Sequence, residues 1–401
     1  MFLDYKGKKS LDEVFKSIED IELKFVNGNQ EAKSMLIKGD NLRVMKYLLD
    51  RLGLRGKVDL VYIDPPFGTS NTFRVSADKA NTISKSNDGD LAYDDTLVDV
   101  EYLEFLRERL LLLKELLSEQ GSIYVHIDYK IGHYVKILMD EIFSRQNFIN
   151  DLTRIKCNPK NFERKGYGNI KDMILFYSKT NNYIWHPQNA SFSDKDINRL
   201  FKKVDKDGRR YTTIPLHAPG ETKNGVTGQE WKGMLPPIGR HWRVSPQMLD
   251  ELDKNGLIEW SKNGVPRKKI FADEKMKVGK KLQDILEFKD PQNPVYPTEK
   301  NLDLLKIIVN TSSNADSLIL DCFAGSGTTL IAARDLGRNY IGIDSSQKAI
   351  EVTLKRLNPK QQQIIDNGYA HFEEVNLKKI RDNNIDYSLL LAKTNSKDSI
   401  N

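Results

Sequence analysis

Cysteine is nearly absent: the 401 residues contain two, Cys157 and Cys322, with no CxxC or HxxC spacing. Their scarcity excludes a disulfide framework and a cysteine-built zinc site, and it fits a reducing compartment. Long apolar runs are missing too. No stretch approaches the roughly 20 residues that a membrane span needs, and the opening MFLDYKGKKS has no signal-peptide core. A soluble, cytoplasmic chain with no membrane partner is expected. Histidine is sparse as well. His126, His133, His186, His217, His241 and His371 form no metal-ligand pattern, so ordinary structural or surface positions are expected and no metal is implied.

What is present is length and a basic surplus. At this length the chain has room for a catalytic domain and a second module. Its 62 Lys and Arg stand against 56 Asp and Glu, a formal charge of +6. Such a surplus suits a polyanion, because Lys and Arg neutralise phosphates and release counterions. On its own it more often marks a solvated surface.

Periodicity gives the organisation. Asp12 to Phe25 mixes apolar and charged positions at helical spacing, which predicts an amphipathic N-terminal appendage over 1–30. SMLIKGDN (34–41) and VDLVYID (58–64) read as strands with the helix LRVMKYLLDRL between them, a β-α-β unit. A helix over 102–120 ending at Gly121, a strand over 122–128 and a helix over 131–144 follow. From about 155 to 290 the chain turns polar, basic and aromatic, although KDMILFYS (171–178) still reads as a core strand. A helix within 296–313 and a strand, glycine turn, helix and strand over 316–344 resume the pattern. The segment 376–401 is rich in Lys and Asn and is expected to be a partly frayed tail. The fold class is α/β.

Two motifs carry chemistry. The first is Asp64, Pro65, Pro66 and Phe67 at the end of an apolar strand. Ligands of open α/β sheets bind at the carboxyl ends of strands. Two prolines stiffen the turn and remove two donors, so the Asp64 carboxylate and the Pro65 carbonyl are left as acceptors, a pair that matches an amino group. Holding both hydrogens of an exocyclic amine favours a pyramidal nitrogen whose lone pair can attack a methyl. Phe67 offers a face on which a flipped-out base can stack. An ordinary surface turn explains the tetrapeptide about equally well.

The second motif is the strand Leu318–Asp321, the turn Phe323, Ala324, Gly325, Ser326, Gly327, and a helix opening at Thr328. Glycines let backbone approach a ligand, and the helix start offers free N–H groups. The strand YIGID then ends in Asp344, placed to accept from ribose hydroxyls. No Lys follows the glycines as in a phosphate-binding loop, and Leu330 stands where the dinucleotide fingerprint has its third glycine. A nucleoside without phosphate fits, and S-adenosylmethionine is such a ligand.

The ordered set LIKGDN, IDPPFGTSNTF, RLLLLKELLSEQGSIYVHID, GRHWRV, EWSKNGVPRKK, YPTEK and LDCFAGSGTT…GRNYIGID, spanning about 34 to 357, resembles the beta-class amino-methyltransferases of restriction-modification systems. Within that class it resembles the modification subunits of type III systems and their shorter relatives. The resemblance implies a Rossmann-like, S-adenosylmethionine-dependent methyltransferase sheet with circularly permuted motifs: a catalytic half over 31–154, a target-recognition region over 155–290 and a cofactor half over 291–375. It assigns catalysis to Asp64, Pro65, Pro66 and Phe67. Cofactor binding falls on Asp40, Thr298, Lys300, Asp321, Phe323, Gly325, Gly327 and Asp344, with helix capping an equal alternative for Asp40. Phe67 stands where Tyr is usual, and Asp344 where Glu is frequent.

Methylation of adenine N6 in double-stranded DNA follows from the resemblance, since Asp rather than Ser begins the motif. A homodimer, a separately encoded restriction subunit and a bacterial or archaeal cell are implied in the same way. Cytosine-N4 methylation and a DNA-recognition subunit with a lost activity stay open as rivals. DNA contacts are expected from Arg154, Lys156, Arg164, Lys165, Arg240, Arg243, Arg267 and Lys268, with Lys160, Phe162, Tyr167 and Lys269 interleaved. Trp231, Trp242 and Trp260 are expected to form the core of the inserted module. The long polar loop Gly68–Asp95 is expected to be a lid.

Overall fold

The computed structural model describes residues 2–29, 31–66, 71–75, 90–95, 99–159, 163, 165–292, 294, 296–297, 299–358 and 387–394. Among the described residues no helix is long and apolar enough to cross a membrane. The chain divides into two compact units, Met1–Pro187 with Gln283–Asn401, and Gln188–Leu282.

The first unit is built on a ten-stranded sheet. Its strands are β1 (Ile21–Gly28), β2 (Ser34–Lys38), β3 (Val58–Ile63), β4 (Leu117–Ile127), β5 (Phe148–Ile155), β6 (Lys171–Ser178), β7 (Ile285–Leu286), β8 (Leu318–Asp321), β9 (Asn339–Asp344) and β10 (Tyr387–Thr394). The spatial order is β1-β10-β2-β9-β8-β3-β4-β6-β5-β7. The six strands from β10 to β4 are mutually parallel, while β1 and β6 run against their neighbours. Central parallel strands are covered on both faces, and β3 accordingly reads VDLVYI with five of its six residues buried.

The helices of this unit are α1 (Leu11–Ser17), α2 (Asn41–Asp50), α3 (Asp99–Leu116), α4 (Gly132–Phe143), α5 (Leu302–Ser312), α6 (Thr328–Asp335) and α7 (Gln347–Leu357). In α2 the buried residues Asn41, Val44, Met45, Leu48 and Leu49 recur at helical spacing, and Asp40 caps the start by accepting from Arg43 N at 3.0 Å. The α3 helix stops four residues before the expected end, because Leu117 already pairs with Val58 as strand.

One sequence expectation is corrected at the N-terminus, and the C-terminal segment contributes a strand. The N-terminal segment is helical only over α1, where Ser10 and Glu13 form a capping box. Ile21, Leu23 and Phe25 alternate with Glu22 and Lys24, and that period of two forms β1 instead of helix. Within the segment 376–401, the described residues 387–394 form a strand. β10 inserts between β1 and β2, pairing antiparallel with the first and parallel with the second. The run YSLLLA buries Tyr387 and Leu389, an apolar gain that the surrounding Lys and Asn composition masks.

The second unit begins at Gln188, not at 155, because β6 and β7 belong to the main sheet. It holds an antiparallel sheet of Lys203–Val204, Arg210–Pro215, Pro266–Phe271 and Ile258–Trp260, in that order, and a hairpin pairing His217–Pro219 with Arg240–Trp242. Trp231 and Trp242 are buried with Leu216, Leu249 and Ile258. Trp260 stacks on Trp231 at 5.6 Å but stays 41% exposed, so it only borders that core.

Leu389 is buried between β1 and β2, so a charge placed there would be desolvated. Leu389→Asp is expected to lower unfolding stability by about 2–4 kcal/mol, measured by chemical denaturation, and a change below 0.5 kcal/mol would deny β10 its place in the sheet.

Candidate active site

Strands β8 and β3 lie side by side, Ile319 opposite Leu60. The chain leaves β8 through α6 to β9 on one side, and leaves β3 through α3 to β4 on the other. Where connections diverge in this way a crevice opens beyond the carboxyl ends of the strands. A cavity of about 790 Å³ occupies it, lined among others by Asp40, Asp64, Pro65, Pro66, Lys300, Asp321, Phe323, Gly325 and Asp344. The two motifs, distant in sequence, therefore share one cavity. Phe67 and Thr298 lie outside the described residues.

The glycine turn is shaped by its backbone. Gly325 and Gly327 have φ of +51° and +74°, values that L side chains rarely adopt. A Cβ on Gly327 would meet Thr353 Cγ2 at 2.5 Å, so α7 presses directly on the turn. Thr353 Oγ1 donates to Gly325 O at 3.0 Å, and Arg356 donates to Ser326 O at 2.9 Å. Gly327 precedes α6 without any side-chain cap, so the first N–H groups of that helix remain at the turn.

Carboxylates dominate the lining: Asp40, Asp64, Glu299, Asp321, Asp344 and Glu351 against Arg109, Lys300 and Lys348. Such an excess repels phosphates and suits a cation bearing hydroxyl groups. Burial pushes the Asp321 carboxyl up to about 7, with like charge from Asp64 and Asp344 adding to the rise. Its oxygens accept from Phe323 N at 3.0 Å and Thr329 Oγ1 at 2.6 Å. Burial raises Asp344 as well, although Oδ2 accepts from Gly325 N and Oδ1 from Ser346 N, each at 2.8 Å. A carboxylate oxygen has two lone pairs, so each can accept a second donor such as a ribose hydroxyl.

Asp64 is held from one side only. Lys300 Nζ pairs with Oδ2, while Oδ1 is buried and has no hydrogen-bond partner among the described residues. An orphaned acceptor beside a proline turn that donates nothing is a site for an N–H donor. Asp40 caps α2 and also lines the cavity, with Arg109 at 3.5 Å.

Some lining residues gave no motif. Arg109 is buried in α3, donates from Nε to Asn41 Oδ1 at 2.6 Å and lies 3.5 Å above the Phe105 ring. Phe105 in turn meets Phe323 with ring centroids 6.1 Å apart. Helical periodicity assigns such residues to a core and gives no sign of the crevice.

The basic residues separate by environment. Arg154 is corrected: expected at DNA, it is 1% exposed and bound to Phe288 O, Asp172 and Asp290. A guanidinium with those partners is structural. Lys156 is held by Asp172 at 2.6 Å. Arg164, Lys160 and Phe162 lie outside the described residues, and Lys165 and Tyr167 are exposed. Arg240 and Arg243 are exposed, whereas Arg267, Lys268 and Lys269 are half-buried, with Arg267 donating to Thr213. Charge is segregated between the units. The second carries 20 Lys and Arg against 12 Asp and Glu, a net +8, and the remainder carries 42 against 44, a net −2. Of the expected lid, Asn71–Val75 and Asp90–Asp95 pair with one another, and 68–70 and 76–89 lie outside the described residues.

A permuted, Rossmann-like α/β sheet with an acceptor turn facing a glycine turn defines a methyltransferase-type architecture. The chain belongs to the N6_N4_Mtase family of DNA methylases, whose family model matches residues 58–355. It is 43% identical to the type II methyltransferase M.EcaI of Enterobacter cloacae over 77% of this chain and 66% of that protein. It is 26% identical to the type III restriction-modification enzyme EcoPI Mod subunit of Escherichia phage P1, over 88% of this chain and 62% of that one. Against the type II methyltransferase M.KpnI of Klebsiella pneumoniae the identity is 27%, covering 88% of this chain and 93% of that protein. The chain thus spans about two thirds or less of the first two relatives. The crystal structure of an M1.HpyAVI–SAM complex aligns with TM-score 0.40 and 18% identity over 80% of this chain and 98% of that one.

A carboxyl raised to about 7 keeps its proton in the folded state well above the unfolded value of 3.8. Its stabilising contribution is complete below about pH 4 and declines as pH rises towards 7. Between pH 5 and 8 the protein is therefore expected to lose about 2 kcal/mol more stability than Asp321→Asn, measured by urea denaturation. Parallel pH profiles would contradict a protonated Asp321.

Proposed function

We propose that this chain is a site-specific DNA methyltransferase that moves a methyl group from S-adenosylmethionine to the N6 amine of a flipped-out adenine in double-stranded DNA. The observation that carries the reading is the orphaned Asp64 Oδ1, buried beside Pro65 and across the switch point from the glycine turn. Cofactor contacts fall to Asp321, Phe323, Gly325, Gly327 and Asp344, with Asp40, Lys300 and Thr298 flanking. The acidic lining suits a sulfonium and an ammonium, and Asp344 suits ribose hydroxyls.

When bound, S-adenosylmethionine supplies an electrophilic methyl. Asp64 Oδ1 and the Pro65 carbonyl accept the two hydrogens of the amine and free its lone pair from the ring. Lys300 balances the carboxylate from its other oxygen, so Asp64 is fixed before the base arrives. Pro65 and Pro66 hold the turn rigid and donate nothing that would compete for Oδ1. The base must leave the helix to reach this pocket, because the amine is otherwise paired within the stack. Phe67 is assigned the stacking face.

The second unit is assigned target recognition, supported by its net charge of +8 and by the exposed Arg240 and Arg243. Arg267, Lys268 and Lys165 are assigned phosphate contacts. A homodimer and a separately encoded restriction subunit, the latter suggested by the Mod-subunit relatives, complete the proposal. The nearest second reading is cytosine-N4 methylation, since the family model covers both amines.

Expressed in a methylation-free host, the chain is expected to yield N6-methyladenine on nucleoside mass spectrometry. N4-methylcytosine would select the second reading, and no modified base would reject both. Asp64→Ala should lower transfer at least 1,000-fold while S-adenosylmethionine affinity by calorimetry stays within about threefold. Retained methylation by that variant would remove Asp64 from the mechanism. For Arg240→Gln and Arg243→Gln, weaker DNA binding is expected, with the slope of log K against log salt reduced by about one for each phosphate left unneutralised. An unchanged slope would place the phosphate-binding cations elsewhere.

A further inference from the structure

Behind the acceptor turn runs a chain of buried polar groups that the transfer reaction, as described, does not use. Tyr62, two positions before Asp64, lines the cavity and is 2% exposed. Its hydroxyl lies 2.8 Å from Nδ1 of His126, which is fully buried on β4. His126 Nε2 lies 3.1 Å from Asp172 Oδ2 on β6. Asp172 also receives Lys156 Nζ at 2.6 Å and Arg154 at 3.4 Å, and Arg154 is tied onward to Phe288 O and Asp290. One link thus comes from each of the four adjacent strands β3, β4, β6 and β5. An apolar trio would fill the same volume without desolvating three polar groups, so the fold alone does not require this chain.

The partners fix every proton. Burial works against the Asp172 charge, but the His126 hydrogen bond and Lys156 hold its carboxyl well below the usual carboxylate range, so it only accepts. His126 must then carry its proton on Nε2. Burial lowers the imidazole from its ordinary value and so favours the neutral ring at neutral pH, although Asp172 and Asp64 pull the other way. Nδ1 is therefore an acceptor and Tyr62 must donate to it. The arrangement of carboxylate, imidazole and hydroxyl has the same logic as a hydrolase triad, with a phenol in the last place. The hydroxyl oxygen is left as an acceptor, more negative for the polarisation that Asp172 transmits. The groups facing His126 are Tyr62 from β3 and Asp64 from the turn after it, Asp172 from β6, Arg154 and Lys156 from β5 and beyond it, and Lys300 from the segment before α5.

We propose that Tyr62 and His126 are positioning residues of the transfer site: anchored on Asp172, they fix the strand end that carries Asp64 and set a negative dipole beneath it. Positive charge passes from the donor sulfonium to the amine during transfer, and a preorganised negative dipole favours that shift. The proposal rests on the methyltransferase reading above.

Three substitutions in the full chain test it. Tyr62→Phe removes one oxygen and keeps the ring. His126→Leu cuts the chain, and His126→Gln keeps a donor for Asp172 and an acceptor for Tyr62. Tyr62→Phe and His126→Leu are expected to lower kcat about 10–100-fold, with KM for a DNA duplex and calorimetric S-adenosylmethionine affinity within about threefold. The double variant should be no slower than the worse single one, and His126→Gln should recover most of the loss. An unchanged kcat in Tyr62→Phe, or multiplying losses in the double variant, would overturn the proposal. Should His126→Leu not fold, the Tyr62→Phe arm decides. Independently of turnover, nitrogen NMR of His126 should show a neutral ring protonated at Nε2 at pH 7–8. The opposite tautomer or a charged ring would also overturn it. A wild-type chain that methylates no DNA rejects the functional reading instead, and the NMR result still tests the chain of hydrogen bonds.

Discussion

The structure depends on one topological constraint, the divergence of two parallel neighbours. Because β8 hands the chain to β9 and β3 hands it to β4, no crossover can cover the gap between their carboxyl ends. Whatever residues end these strands must face a common crevice. Here they are Asp321 with the glycine turn and Asp64 with the proline turn. The permuted order of the motifs does not matter to that geometry, since parallel strands can be entered in either sequence so long as they lie side by side.

Filling one cavity wall with carboxylates is costly, and the surroundings show how each is tolerated. Asp321 is raised to about 7 by burial and is fixed by a threonine hydroxyl and a backbone amide. Asp344 is spent in part on the glycine turn itself, so the group that suits a ribose also holds the loop that suits the rest of the nucleoside. Asp64 keeps one oxygen with Lys300 and leaves the other unmatched among the described residues. An unmatched buried acceptor is destabilising until a donor arrives. Stability given up there is available as binding selectivity for an N–H group.

Charge is divided as the chemistry requires. The small unit concentrates the basic surplus, whereas the sheet unit is slightly acidic and presents its acids to the cavity. A whole-chain charge of +6 conceals that contrast. Arg154 illustrates the same limit at the scale of one residue: by composition it belongs with a basic surface, yet packing buries it on β5 as the anchor of Asp172 and Asp290.

The sequence by itself determined the α/β alternation, the two turns and the inserted basic module. Each is encoded locally, in apolar periodicity, in prolines and glycines that limit backbone angles, and in side-chain charge. It did not disclose β1 and β10. A short alternating strand gains its stability from a partner more than 350 residues away, and neither partner signals the other. It also left His126 among the ordinary structural or surface histidines, because a polar residue in a strand acquires meaning only from the neighbours that the sheet order supplies. Tertiary structure alone decided which acceptor stays empty and which positive charges are buried, since burial and pairing depend on contacts between distant segments and not on the residues themselves.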